Sequence, residues 1–205
     1  MHFDNEAQTW DNDPKKTERA KIVSEEIISY IKNGNGRNAM EFGCGTGLLS
    51  FQLKDFFKSI TLIDNSEGMI KVLKEKIAKS GINNFKPVYI QSFEDEISKA
   101  EYDVIYTLMT LHHILDLSKI AEVFHSALKY EGYLCIADLV KEDGSFHSHI
   151  ADFEGHNGFE RNSLMQILTA KGFEVVFYKV CLEIEKISDN KIMKYPLFLM
   201  ICKKN

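Results

Sequence analysis

Glu41-Phe42-Gly43-Cys44-Gly45-Thr46-Gly47 is the stretch from which the fold of this 205-residue chain is read. A short apolar strand, roughly Asn38 to Phe42, runs straight into three alternating glycines. A helical run through Leu48, Leu49, Leu53 and Phe57 follows. Glycine tolerates positive φ and lets a ligand approach the backbone closely. A helix opening behind such a loop turns its first amides toward a carboxylate or phosphate. The next apolar run, Ser59 to Ile63, is closed by Asp64, at the distance where a carboxylate bonds ribose hydroxyls. Loop and acid together describe a pocket for an adenosine-like ligand.

Working outward, helices alternate with short strands. Asp13-Pro14 opens a helix with Ala20, Val23, Ile27 and Ile31 on one face, and Gly34 lies past its end. Ser66 caps a helix carrying Met69, Ile70, Leu73 and Ile77, which Gly81 stops. Strands are expected at Pro87 to Gln91, Tyr102 to Leu108 and Tyr133 to Val140, the second buried and central. Helices are expected at Leu117 to Tyr130 and Arg161 to Lys171. The runs Glu174 to Glu185 and Tyr195 to Lys203 flank the turn signal Ser188-Asp189-Asn190 and predict an antiparallel hairpin. The alternation predicts an α/β fold: a doubly wound, mostly parallel seven-stranded sheet with a C-terminal antiparallel hairpin. One domain over 1–205 is expected, with a helical cap at 1–35 and a substrate-side loop at 141–160.

Lys+Arg number 25 and Asp+Glu 30, so the net charge is −5, which counts against nucleic acid as main partner. A hydrophobic content of 44% excludes a disordered chain. No apolar run is long enough for a bilayer, and no secretory signal is read at Met1 to Glu6, so a cytoplasmic location is expected. The cysteines at 44, 135, 181 and 202 are scattered, which fits reduced thiols better than a disulfide frame or zinc knuckle.

The ligand class follows from the glycine pattern. A dinucleotide fingerprint, G-x-G-x-x-G/A, needs a small residue where this chain has Leu48, and no Gly-Lys-Ser/Thr follows to make a P-loop. Glu41-x-Gly43-x-Gly45-x-Gly47 instead resembles the first motif of class I S-adenosylmethionine-dependent methyltransferases. Ile63-Asp64-Asn65-Ser66-x-x-Met69 resembles their second motif, and Gln91-Ser92-Phe93-Glu94-Asp95 stands where the family contacts adenine. Tyr102 to His113 is similar to the fourth motif of the branch with ubiquinone and menaquinone biosynthesis methyltransferases. Leu128-Lys129-Tyr130-Glu131-Gly132-Tyr133-Leu134 resembles the turn before the fifth strand. The adenine motif here lacks the frequent Asp at Ser92 or Phe93, and Tyr130 replaces the usual proline of the turn.

The resemblance implies roles. The backbone of Gly43, Cys44, Gly45 and Gly47 would hold the methionine end of S-adenosylmethionine, with Cys44 itself a small packing residue. Glu41 would orient the loop and favour the amino group, and Asp64 would bond the ribose. Asn65 and Met69 would lie near the adenine, Ser92 and Phe93 on its other side, and Leu108 and Met109 beneath the methionine portion. Methyl transfer from a sulfonium is an in-line displacement in which orientation can supply about 7–11 kcal/mol of the barrier.

Of the seven histidines, His112 and His113 follow the fourth strand, where the acceptor meets the methyl group and an imidazole can take a proton. His149 and His156 sit in the irregular segment and are assigned to the acceptor pocket. His147 and His149 at i, i+2 with His156 nearby also allow zinc, but the spacing is not a standard one, so no metal is assigned. Trp10 would close over the site and exclude water. The charged run Lys71, Lys74, Glu75, Lys76, Lys79 reads as a solvated face. The expectation is methyl transfer to a small-molecule acceptor. The alternatives are a catalytically silent module of the same fold or, less favoured, an NAD-dependent oxidoreductase. The acceptor and the oligomeric state are not legible.

Overall fold

The computed structural model describes residues 2–92, 97–148, 150, 153–188 and 191–205. Its first elements are α1 (His2–Glu6), a 3-10 segment over Ala7–Asn12, and α2 (Pro14–Ile31). The α2 start follows from local chemistry: Asp13 Oδ1 accepts from the Lys15 N–H at 2.9 Å, with Pro14 in the first turn. Ala20, Val23, Ile27 and Ile31 are the buried face of that helix.

Strand β1 (Asn38–Phe42) leads through the glycine loop to α3 (Leu48–Leu53), then β2 (Ser59–Asp64) and α4 (Glu67–Ser80). Ser66 Oγ caps α4 by accepting from Met69 N–H at 3.2 Å, and Gly81 ends it in the left-handed region. Then come β3 (Phe85–Tyr89), β4 (Tyr102–Leu108), α5 (Leu117–Ala127), β5 (Leu128–Leu139), α6 (Arg161–Ala170), β6 (Phe173–Ser188) and β7 (Lys191–Lys204).

The sheet has seven strands in the order β3-β2-β1-β4-β5-β7-β6. The first five run parallel; β7 pairs antiparallel with both β5 and β6. The expected fold class is therefore the observed one. From β1 the chain steps outward to β2 and β3, then returns to lay β4 on the other side of β1. That reversal puts a crevice at the carboxyl ends of β1 and β4, where open α/β sheets bind ligands. One apolar layer, with Val23, Ile27, Leu53, Leu62 and Leu73, lies under α2, α3 and α4. The other, with Phe42, Phe124, Leu164 and Phe198, lies under α5 and α6.

Four boundaries differ from expectation. The helix placed at Leu117 to Tyr130 stops at Ala127, because Leu128 pairs with Tyr102 and opens β5 five residues before Tyr133. Strand β3 begins at Phe85, whose buried ring packs edge-on against Phe51; Pro87 is tolerated because β3 is an edge strand. Helix α3 ends at Leu53, and a turn bond from Phe56 N–H to the Leu53 carbonyl sends Phe57 back into the core. The hairpin strands are longer than read, extending over Phe173–Ser188 and Lys191–Lys204. The proposed turn residues Asp189 and Asn190 lie outside the described residues.

Candidate active site

The glycine loop bridges β1 and α3 at the switch point. Gly43 has φ +67°, and a Cβ there would lie 2.1 Å from Thr110 Cγ2, so no side chain fits. Thr110 Oγ1 donates to the Gly43 carbonyl at 3.1 Å and ties the loop to the exit of β4. Gly45, with φ +52°, borders a gap: a Cβ there would meet only Met69 Sδ at 3.9 Å and Trp10 Nε1 at 4.0 Å. An added side chain would fill this cradle, and its backbone is accessible to a ligand only because the position is glycine. Cys44 is buried in the core beneath, and burial pushes its thiol well up, which suits packing rather than reactivity.

Asp64 ends β2 beside the loop. Its Oδ2 accepts from the Gly45 N–H at 2.7 Å and its Oδ1 from the Ser66 N–H at 2.8 Å. A carboxylate has about four lone-pair sites, so the backbone donors leave room for a hydroxyl donor. Burial raises this carboxyl above its usual range, opposed by the backbone bonds from Gly45, Ser66 and Asn65. Asn65 is exposed, Met69 is buried, and Ser92 is exposed past β3. Leu108 and Met109 are half-buried at the end of β4. Phe93 and Glu94 lie outside the described residues.

Glu41 is 3% exposed and sits under the loop. Its Oε2 accepts from the Ser50 N–H at 3.2 Å and from the Ser50 hydroxyl, which also bonds Tyr106 at 2.7 Å. Burial pushes this carboxyl up to about 8, partly offset by the bonds from Ser50.

The N-terminal elements lie across the crevice. Asp4 Oδ1 accepts from Ser66 Oγ at 2.7 Å and from the Gly68 N–H at 2.9 Å, which fastens α1 to the start of α4. Trp10, under the Lys16 ammonium at 3.3 Å, stands beside Gly45. Phe3 packs edge-on against both Trp10 and His113, with centroids 5.9 and 5.3 Å away. Lys76 corrects the solvated-face expectation: its Nζ donates to Asp11 Oδ2 at 2.6 Å and to the Thr46 carbonyl at 2.8 Å. Asp11 also accepts from Thr46 Oγ1, so one lysine joins α4, the glycine loop and the N-terminal segment.

His112 and His113 lie in a 3-10 turn, Leu111–His113, directly after β4. His112 is buried and its Nδ1 lies 2.6 Å from Asp138 Oδ1. Asp138 also accepts from the Leu139 N–H at 2.7 Å and the His112 N–H at 3.2 Å. His113 is half-buried beside Phe3 and Phe153. His147, from a short 3-10 turn at Ser145–His147, joins them: its ring is 5.0 Å from His112 and 5.6 Å from His113. His156 does not join; its Nε2 is 2.9 Å from the Ile114 carbonyl and its N–H donates to the His112 carbonyl at 2.7 Å. It therefore buttresses the histidine turn. His149 lies outside the described residues.

Three residues here escaped the reading of motifs. Thr110 lies just past β4 and Asp138 at the carboxyl end of β5, both at the crevice, and that position is the signal that would have found them. Arg19 is the third. Its Nε is buried with no hydrogen-bond partner among the described residues, and burial lowers its pKa against the pull of Asp13 and Asp138. A polar surface depression lined by Lys54, Asp55, Lys58 and Asn84 opens at the amino ends of β2 and β3, at the opposite side of the sheet.

Residues 33–190 match a family model described as a methyltransferase domain. An uncharacterized methyltransferase of Schizosaccharomyces pombe is 30% identical over 167 residues, 73% of this chain and 59% of that protein. A ubiquinone biosynthesis O-methyltransferase of Marinobacter nauticus is 29% identical over 116 residues, 54% of this chain and 48% of that one. The chain thus spans about half to three-fifths of these two relatives. In fold it is similar to the crystal structure of an S-adenosylmethionine-dependent methyltransferase from Aquifex aeolicus. The TM-score is 0.66 at 20% identity, covering 92% of this chain and 98% of that one.

Proposed function

Since the chain belongs to the methyltransferase-domain family, whose methyl donor is S-adenosylmethionine, we propose that it methylates a small-molecule acceptor by in-line displacement. The observation that carries the proposal is the bond between the Asp64 carboxylate and the Gly45 N–H, 2.7 Å long, at the sheet's switch point. It couples the acid suited to ribose hydroxyls to the loop suited to the amino-acid end. When bound, S-adenosylmethionine supplies a methyl group on a sulfonium with a neutral leaving group. The chain's own task is then alignment, which can be worth about 7–11 kcal/mol.

The roles divide by position. The backbone of Gly43, Cys44, Gly45 and Gly47 holds the methionine end over the cradle between Met69 and Trp10. Asp64 takes the ribose hydroxyls. Asn65 and Met69 border the adenine with Ser92 opposite, and Leu108 and Met109 form the floor. Glu41 holds the loop through Ser50 and, above the pH near 8 at which it ionises, supplies negative charge beneath the amino group. Trp10 and Phe3 exclude water. His113, with His112 behind it, takes the proton of an acceptor that arrives protonated. His156 belongs to the acceptor side by holding the histidine turn in place.

A melting-point comparison of S-adenosylmethionine, S-adenosylhomocysteine and NAD tests the cofactor, since a ligand well above its Kd stabilises by RT ln(1 + [L]/Kd). A shift with NAD alone would overturn the proposal. An acceptor screen with labelled cofactor then tests the acceptor class; label appearing only in macromolecules would refute it.

A further inference from the structure

Three imidazoles meet on the acceptor side although they come from two distant segments. His112, His113 and His147 each offer a ring nitrogen, and these nitrogens all lie within 4.8 Å of one another. This is not the set that spacing suggested. Spacing groups His147 with His149 and His156, but His156 turns to the Ile114 carbonyl.

From this geometry we propose that His112, His113 and His147 form a binding site for one divalent transition-metal ion of the zinc class. Two nitrogens at about 2.0–2.1 Å from a common tetrahedral ion are roughly 3.4 Å apart. Movements of roughly 0.7 Å by each ring nitrogen therefore close the site, and His113 is half-buried.

Asp138 is the independent observation. Its carboxylate only accepts hydrogen bonds, so His112 Nδ1, 2.6 Å away, carries the proton and Nε2 carries the lone pair. A carboxylate behind a histidine is the arrangement that fixes tautomer and ring orientation in metal sites and raises ligand basicity. Asp138 is itself held by the Leu139 and His112 N–H groups. The other rings are also held: Phe153 stacks on His147 at 3.9 Å and 8°, and meets His113 edge-on at 5.5 Å.

The donor set selects the ion. Three neutral imidazoles without carboxylate or thiolate suit zinc, copper, nickel or iron, not magnesium or calcium. Three protein ligands leave a four-coordinate ion one open position. That position fits an oxygen or sulfur of the acceptor. This use rests on the methyl-transfer proposal; the ion site itself does not.

The test uses the purified full chain, stripped with a chelator and titrated with zinc against a chromophoric competitor, with metal content read by mass spectrometry. One zinc per chain is expected, with a dissociation constant of about 1 μM or tighter. His113→Gln and His147→Gln should each weaken binding at least ~100-fold, and Asp138→Asn about 10–100-fold. His125→Gln, whose ring packs on Phe173 under α5, should leave zinc affinity unchanged. The S-adenosylhomocysteine melting shift, retained in His147→Gln, shows that variant folded. Failure to retain zinc, or zinc affinity unchanged in both His113→Gln and His147→Gln, overturns the site. Zinc binding with no S-adenosylhomocysteine response supports the ion site and counts against the methyl-transfer proposal. The reverse result overturns the ion site and leaves that proposal standing.

Discussion

Replacing Glu41 by glutamine removes an ionisable group from beneath the glycine loop while keeping a carbonyl to accept from the Ser50 N–H, now 3.2 Å away. Burial raises the Glu41 carboxyl from an ordinary 4.5 to about 8. As pH climbs above 4.5 the unfolded chain releases this proton while the folded chain keeps it. The wild type therefore loses stability with rising pH, until the folded group also ionises near pH 8. Integrating over pH 5.5 to 8.5 gives a loss of about 3 kcal/mol from this one group. The glutamine variant has no proton to lose, so its stability relative to wild type should rise by about 3 kcal/mol over that range. Urea unfolding at pH 5.5, 7 and 8.5 reads the difference. With m near 2 kcal/mol/M, the midpoint gap should widen by about 1.5 M. A gap that stays constant across pH refutes the buried carboxyl as the source. Above pH 8, where the wild-type carboxyl is ionised, the variant should also bind S-adenosylmethionine more weakly, because a cationic amino group loses its negative partner.

Other outcomes follow from the same geometry. Asp64→Ala should abolish the melting shift caused by S-adenosylhomocysteine; an unchanged shift would refute the ribose role. Gly43→Ala forces a Cβ to 2.1 Å from Thr110 Cγ2 at φ +67°. The left-handed conformation alone costs about 1–2 kcal/mol. Adding Thr110→Ala should recover part of the lost stability, and a strictly additive double variant would exclude the clash. His113→Ala should lower kcat/KM about 10²-fold or more with cofactor affinity unchanged; equal falls in both would assign it to cofactor support. Lys76→Met should loosen the N-terminal segment from the loop. Trp10, the sole tryptophan, reports this as a red-shifted emission, and an unaltered spectrum would mean that the segment is held without the lysine.

Local chemistry explains what was legible. β1 at Asn38–Phe42 and β4 at Tyr102–Leu108 have the bounds that their apolar runs predict. The caps at Asp13 and Ser66 act within two or three residues of themselves. The loop at Gly43 and the acid at Asp64 belong to successive βα units, so order along the chain already implied their meeting. The sheet class came from strand and helix alternation, again a near-neighbour property.

Tertiary structure decided what depends on residues far apart in the chain. Leu128 looks helical until Tyr102 offers a strand partner. Lys76 looks solvated until α1 and the following turn bring Asp11 to it, 65 residues away in sequence. His147 seemed grouped with its own loop, but the sheet sets the carboxyl ends of β4 and β5 side by side, and so delivers it to His112, His113 and Asp138. Periodicity and capping are encoded within a few residues. Which side chains share a pocket depends on strand order and on how each loop packs back, and no stretch of sequence records that alone.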